Sequence, residues 1–161
     1  MNLLITGAMG HIGSYLIENP KNFNKFKKVV LLDNFLNNKH NYLFNHKFDK
    51  KFDFYYRNLT QSSSLNNLPK IDYCLHLASI TNAQESVNNQ DQLFDNNLGC
   101  FKNILNFCIK NRIKLIHIST TSLYGISGDL INEKSKVDPQ SPYAQVKLKE
   151  EKMLKKKLKK N

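Results

Sequence analysis

Short apolar runs punctuate the chain, and between them apolar residues return every three or four positions. The runs "NLLIT" (2–6), "KVVLLD" (28–33), "DFYYRN" (53–58), "IDYCLHLA" (71–78) and "KLIHIST" (114–120) are too short for helices and read as five strands. "KVVLLD" lacks polar alternation, as expected of a strand covered on both faces. Behind the first strand, Ile12, Tyr15, Leu16 and Asn19 lie at helical spacing, and Pro20 stops that helix. From Gln92 to Asn111, Leu93, Asn96, Asn97, Cys100, Ile104, Leu105, Phe107 and Cys108 form one stripe of a long helix. Ser141 followed by Pro142 supplies the N-cap and first turn of a last helix that runs into a lysine-rich end. Residues 34–52 are rich in Asn and Lys and read as a loop with a short helical stretch around "NYLFNHKF".

Strands separated by helices call for right-handed crossovers and a parallel sheet. The expected fold is therefore α/β, a doubly wound parallel sheet of about five strands. A chain of 161 residues is enough for one hydrophobic core and too short for two ordinary domains.

Within this frame "TGAMGHIG" (6–13) puts Gly7, Gly10 and Gly13 between the first strand and the first helix. In such a turn the first glycine permits the tight bend and the second lets a pyrophosphate approach the backbone. The third lets the helix pack close to the sheet, and the helix N-terminus offers amides and a partial positive charge. The spacing alone also suits an ordinary strand-to-helix turn. Asp33 favours the nucleotide: it ends the second strand, twenty residues after Gly13, where a carboxylate accepts hydrogen bonds from the adenosine ribose and repels a 2′-phosphate. "DNF" places no basic residue directly after the acid, so NAD is expected over NADP.

In this order the motifs resemble those of the extended short-chain dehydrogenase/reductase family, in particular its NAD-dependent nucleotide-sugar epimerase/dehydratase group, typified by UDP-glucose 4-epimerase. The resemblance covers nearly the whole chain and implies a Rossmann-type NAD-binding fold. "TGAMGHIG" resembles the family's TGxxGxxG loop, which implies Gly7, Gly10, His11, Ile12 and Gly13 at the cofactor. "LLDN" implies Asp33 and Asn34 at the ribose. "RNLT" stands where the family has an acid and an aliphatic residue at the adenine, which gives that place to Asn58 and Leu59, the asparagine being a departure. "HLAS" resembles the HxAA stretch beside the cofactor, implying His76, Leu77, Ala78 and Ser79 there, and Asn96 of "NNLG" matches the asparagine of NxxG.

Tyr143 and Lys147 of "SPYAQVK" lie four apart, hence on one helix face. A tyrosine with a pKa of about 10 acts as a base near pH 7 only if its phenolate is stabilised by about 4 kcal/mol, which a neighbouring ammonium and a positive nicotinamide ring can supply. A lone YxxxK also suits a plain surface helix. The family resemblance gives the pair a context, because YxxxK there follows a strand that ends in a catalytic hydroxyl, and "HISTTSLYG" resembles that strand end. The implied triad is Thr120, Tyr143 and Lys147. Tyr143 would take the hydroxyl proton as hydride leaves for NAD, and Lys147 would also hold the nicotinamide ribose. Similar 4,6-dehydratases carry acidic groups directly after the catalytic hydroxyl. Thr121 and Ser122 stand there in this chain, so epimerase-like or simple dehydrogenase-like redox chemistry is expected rather than dehydration.

The formal charge of +11 changes this picture little. Residues 147–161 hold eight lysines and two glutamates, a net +6, and the remaining Lys is mixed with Asn without an aromatic ladder, so no nucleic-acid partner is expected. The lysine end carries Met153, Leu154 and Leu158 as a single apolar stripe and reads as a solvated helix end rather than a membrane anchor. Cys74, Cys100 and Cys108 show no CxxC spacing and read as buried thiols, and the five histidines show no ligand-like pairing, so no metal is expected. With no secretory signal pattern at Met1, a cytoplasmic location is expected.

Family members continue past the YxxxK helix into further strands and a substrate lobe, whereas this chain ends in "KEEKMLKKKLKKN". The expected organisation is a dinucleotide-binding domain over residues 1–146 and a lysine-rich helix end over 147–161, with the C-terminal strands and substrate lobe missing. Three readings follow: a truncated or split product, an enzyme that borrows its lobe from a complementing chain, or a non-catalytic NAD-binding module. The resemblance further implies a nucleotide-sugar substrate and a homodimer formed in part through the YxxxK helix.

Overall fold

Residues 1–36, 50–81, 89–126 and 130–158 are described by the computed structural model. The apolar runs form strands β1 (Asn2–Thr6), β2 (Lys28–Asp33), β3 (Phe52–Tyr56), β4 (Tyr73–His76) and β5 (Lys114–His117). They pair in parallel as one sheet in the order β3-β2-β1-β4-β5. The chain works outward from β1 to β3 and then returns to the other side of β1, so the strand order reverses between β1 and β4. In a parallel sheet that reversal opens a crevice beyond the carboxyl ends of the strands. The expected helical stretch around "NYLFNHKF" lies outside the described residues.

Successive side chains of a strand point to opposite faces, and the two central strands bury both. Leu4, Val30 and Leu32 pack on one face with Cys100, Ile104 and Cys108 of helix α2 (Gln90–Lys110). Leu3, Ile5, Val29 and Leu31 pack on the other with Ile17 of helix α1 (His11–Glu18) and with Phe23 and Phe52. Helix α3 (Pro142–Leu158) lies against α2, and the Ser141 hydroxyl accepts a hydrogen bond from Ala144 N at 3.1 Å, the cap foreseen from the Ser-Pro pair.

Two elements depart from the expected pattern. Ile12 and Tyr15 face solvent, 56% and 73% exposed, while Gly13, Ser14 and Ile17 form the buried face of α1. The cause is Gly13: a Cβ there would come 2.5 Å from the Ala8 carbonyl oxygen, so this position, not the larger apolar ones, sits against the glycine turn. β5 stops at His117, before "IST", and as an edge strand leaves Ile116 half exposed.

Candidate functional site

A cleft opens where the strand order reverses. Gly7, Met9 and Gly10 line it from the turn after β1, and Asp33, Asn34 and Phe35 from the end of β2. Arg57 and Leu59 enter beyond β3, Leu77, Ala78 and Ser79 beyond β4, and Asn96 and Cys100 from α2.

The three glycines of the turn have different physical reasons. Gly7 has φ +66°, and a Cβ on it would come 2.6 Å from Ala78 N. Gly13 is likewise required by the protein's own backbone. Around Gly10, by contrast, an added Cβ would meet only the Gly7 carbonyl oxygen, at 3.2 Å, and the residue borders the cleft. Helix α1 starts from Gly10 with no side-chain cap. The space that a side chain would take at Gly10 thus opens on the cleft at the helix N-terminus.

Asp33 closes the other side. Its Oδ2 accepts from Met9 N and its Oδ1 from Phe35 N, each at 2.8 Å. These bonds tie the glycine turn to the end of β2 and fix the carboxylate with acceptor capacity to spare, since two oxygens offer about four lone-pair sites. Opposite Asp33 in the β2–β3 register stands Tyr56, so the next residue, Arg57, arrives at the cleft. Its Nε is buried and makes no hydrogen bond among the described residues. A close-approach backbone, a fixed acceptor and an unsatisfied guanidinium donor fit a dinucleotide.

Asn97 prepares the far wall: its Oδ1 accepts from Ile80 N at 2.8 Å and its Nδ2 donates to Ile80 O at 3.0 Å, pinning the segment after β4. Asn96 Nδ2 donates to the same Oδ1 at 3.0 Å.

Other foreseen residues lie elsewhere. His11 and Ile12 are exposed on α1. Asn58 Oδ1 accepts from Thr60 N and Oγ1, closing its own turn instead of bordering the cleft. His76 sits under the sheet with Nδ1 2.7 Å from Thr6 Oγ1. Burial, then the neighbouring His117 and Lys147, push its pKa down to about 3, so it is neutral. Met9, Phe35, Arg57, Asn97 and Cys100 were not singled out for the site from sequence. Arg57 was open to detection, because it directly precedes "NLT", but only the strand register places it beside Asp33.

The candidate catalytic groups gather around α3. Thr120 caps the short 3₁₀ turn Thr121–Tyr124, accepting from Ser122 N at 3.2 Å, and this turn packs on α3. Lys147 Nζ is 5.8 Å from the centre of the Tyr143 ring. The same ammonium is 2.9 Å from Glu150 Oε2, to which His117 Nε2 approaches at 3.0 Å. Burial first, and then the Glu150 charge, raise the Tyr143 phenol above its ordinary pKa, the opposite of what a base requires.

Residues 3–160 match the model of the NAD dependent epimerase/dehydratase family. A UDP-glucose epimerase of Bacillus subtilis, itself uncharacterised, is 31% identical over 95% of this chain and 50% of its own length. The UDP-glucose 4-epimerase of Yersinia enterocolitica is 30% identical over 96% of this chain and 48% of its own. A dTDP-D-glucose 4,6-dehydratase of Dictyostelium discoideum is 32% identical over 88% of this chain and 37% of its own. Among solved structures, the UDP-glucose 4-epimerase of Thermotoga maritima with UDP-glucose superposes with a TM-score of 0.83 at 25% identity, covering 96% of this chain and 50% of that one. The chain thus spans about half the length of these relatives or less. With its five-stranded parallel sheet, its glycine turn and a match that runs almost from end to end, it belongs to the NAD-dependent epimerase/dehydratase family.

Proposed function

We propose that the chain binds NAD in the cleft and serves hydride-transfer chemistry at a hydroxyl-bearing carbon of a nucleotide sugar. The observation that carries this reading is Asp33, held by the Met9 and Phe35 amides across from a glycine whose side-chain space belongs to the cleft. Gly7, Gly10 and the first turn of α1, with His11, Ile12 and Gly13, would accept the pyrophosphate. Asp33 and Asn34 would take the adenosine ribose, with Leu59 at the adenine and Leu77, Ala78, Ser79 and Asn96 along the nicotinamide half. Bound NAD supplies a hydride acceptor that returns the hydride later in the cycle. Thr120 would orient the sugar hydroxyl, Tyr143 would take its proton, and Lys147 would hold the nicotinamide ribose and stabilise the phenolate.

Thr121 and Ser122 offer no carboxylate for elimination of water, which favours epimerisation over dehydration. Calorimetry tests the binding step: saturable NAD binding, at least tenfold weaker for NADP and for Asp33→Ala, is the expected result, given about 1.5–3 kcal/mol for each hydrogen bond to a charged group. No binding to folded chain would overturn the reading.

A further inference from the structure

Among the described residues, the charged side chains inside the protein are Lys147 and Glu150. A carboxylate that is 1% exposed is costly unless something holds it, because burial removes its hydration. Here one oxygen, Oε2, faces Lys147 Nζ at 2.9 Å and His117 Nε2 at 3.0 Å. Neither contact has hydrogen-bond geometry, so the carboxylate oxygen is held by charge rather than by a hydrogen bond. Phe101 of α2 covers the His117 ring with centroids 4.5 Å apart, and His76 of β4 stacks on it at 5.8 Å. His117, which faces the carboxylate, is therefore packed against residues of both α2 and β4.

The titratable groups around it complete the electrostatics. His76 from β4 is neutral. Cys100 from α2 is also neutral, its thiol pushed up to about 12 by burial and by the Glu150 charge. β5 contributes His117, and α3 itself contributes Tyr143 and Lys147. Glu150 is thus the negative charge of this cluster and Lys147 its standing positive charge.

We propose that Glu150 is a positioning residue that acts through Lys147: its buried carboxylate, beside His117, holds the ammonium and offsets its charge, so that Lys147 supports Tyr143 less than an unpaired ammonium would. This rests on the roles given above to Tyr143 and Lys147. The Tyr143 phenol, raised first by burial and then by the Glu150 charge, agrees with it, since Glu150 repels the phenolate and faces the cation that would stabilise it.

The test is a phenolate titration of the ligand-free chain by ultraviolet difference, each protein against its Tyr143→Phe counterpart. Glu150→Gln is expected to lower the Tyr143 midpoint by about one pH unit, within the range that a nearby charge commands. In a Lys147→Gln background the same substitution should lower it by less than half as much, because only direct repulsion remains to be removed. Equal shifts in the two backgrounds, or no shift in either, would overturn the proposal. A residue needed only for packing would change stability and leave the midpoint in place. Lys147→Gln/Glu150→Gln leaves no unpaired buried charge and is expected to fold. Should Glu150→Gln alone fail to fold, Glu150→Asp, which withdraws the charge by one methylene, replaces it with a smaller shift of the same sign expected only when Lys147 is present. Equal behaviour with and without Lys147 would again overturn the inference. Calorimetry with NAD on the unsubstituted chain separates this from the functional reading: absent NAD binding with the coupling intact refutes the function alone, and NAD binding without the coupling refutes the inference alone.

Discussion

Gly7 and Gly10 are the same residue type three positions apart, yet the structure asks different things of them. At Gly7 a methyl group meets backbone at 2.6 Å in a left-handed conformation, whereas at Gly10 it meets one carbonyl oxygen at 3.2 Å. Gly7→Ala is expected to cost at least about 2 kcal/mol of stability, read by urea denaturation, since neither the backbone angle nor Ala78 can yield cheaply. Gly10→Ala should keep the fold to within about 1 kcal/mol and weaken NAD binding at least tenfold by calorimetry, because the methyl group fills space reserved for the ligand. Equal stability losses for the two would show that the turn is only structural. This distinction also marks what the sequence discloses about single residues. A glycine in a tight turn and an acid at a strand end follow from local geometry and are visible in the spacing. Arg57 and Asn97 are not, because their places come from strand register and from a helix reaching across to the segment after β4, which no local pattern encodes.

At the scale of elements, the five strands and the long helix were legible because each buries enough apolar surface for its period to stand out. The phase of α1 was not. Its larger residues, Ile12 and Tyr15, suggested a buried stripe, but close packing of the turn hands that face to Gly13, Ser14 and Ile17. A small residue carries little hydropathy signal even where contact is tightest. Ile17→Ala should therefore cost about 2–4 kcal/mol in a denaturation experiment, whereas Tyr15→Ala should change stability by no more than about 0.5 kcal/mol. A larger loss at Tyr15 than at Ile17 would restore the phase that hydropathy alone suggests. β5 shows the converse limit. Its apolar run predicts a strand, and one forms, but it ends at His117, three residues before the run does, because pairing with β4 ends there.

For the whole molecule, the buried His76 links stability to pH. Its side chain joins β4 to β1 through Thr6 and is kept neutral, with a pKa of about 3 in the folded chain. An unfolded histidine titrates near 6.5. Above that value neither state binds the proton and the group makes no pH-dependent contribution. Below it the unfolded chain takes up a proton that the folded chain refuses, so stability falls as pH drops from about 6.5 towards 3. The slope for one proton is about 1.4 kcal/mol per pH unit, which gives a loss of about 2 kcal/mol between pH 7 and pH 5 from this group. Urea denaturation at the two pH values should show that loss in the unsubstituted chain, beyond what His76→Gln shows. The glutamine variant starts from lower stability, because its amide must replace the imidazole against Thr6, but it carries no proton to take up. An undiminished pH dependence in His76→Gln would show that the strand beneath the cleft is not where acid first loosens the fold.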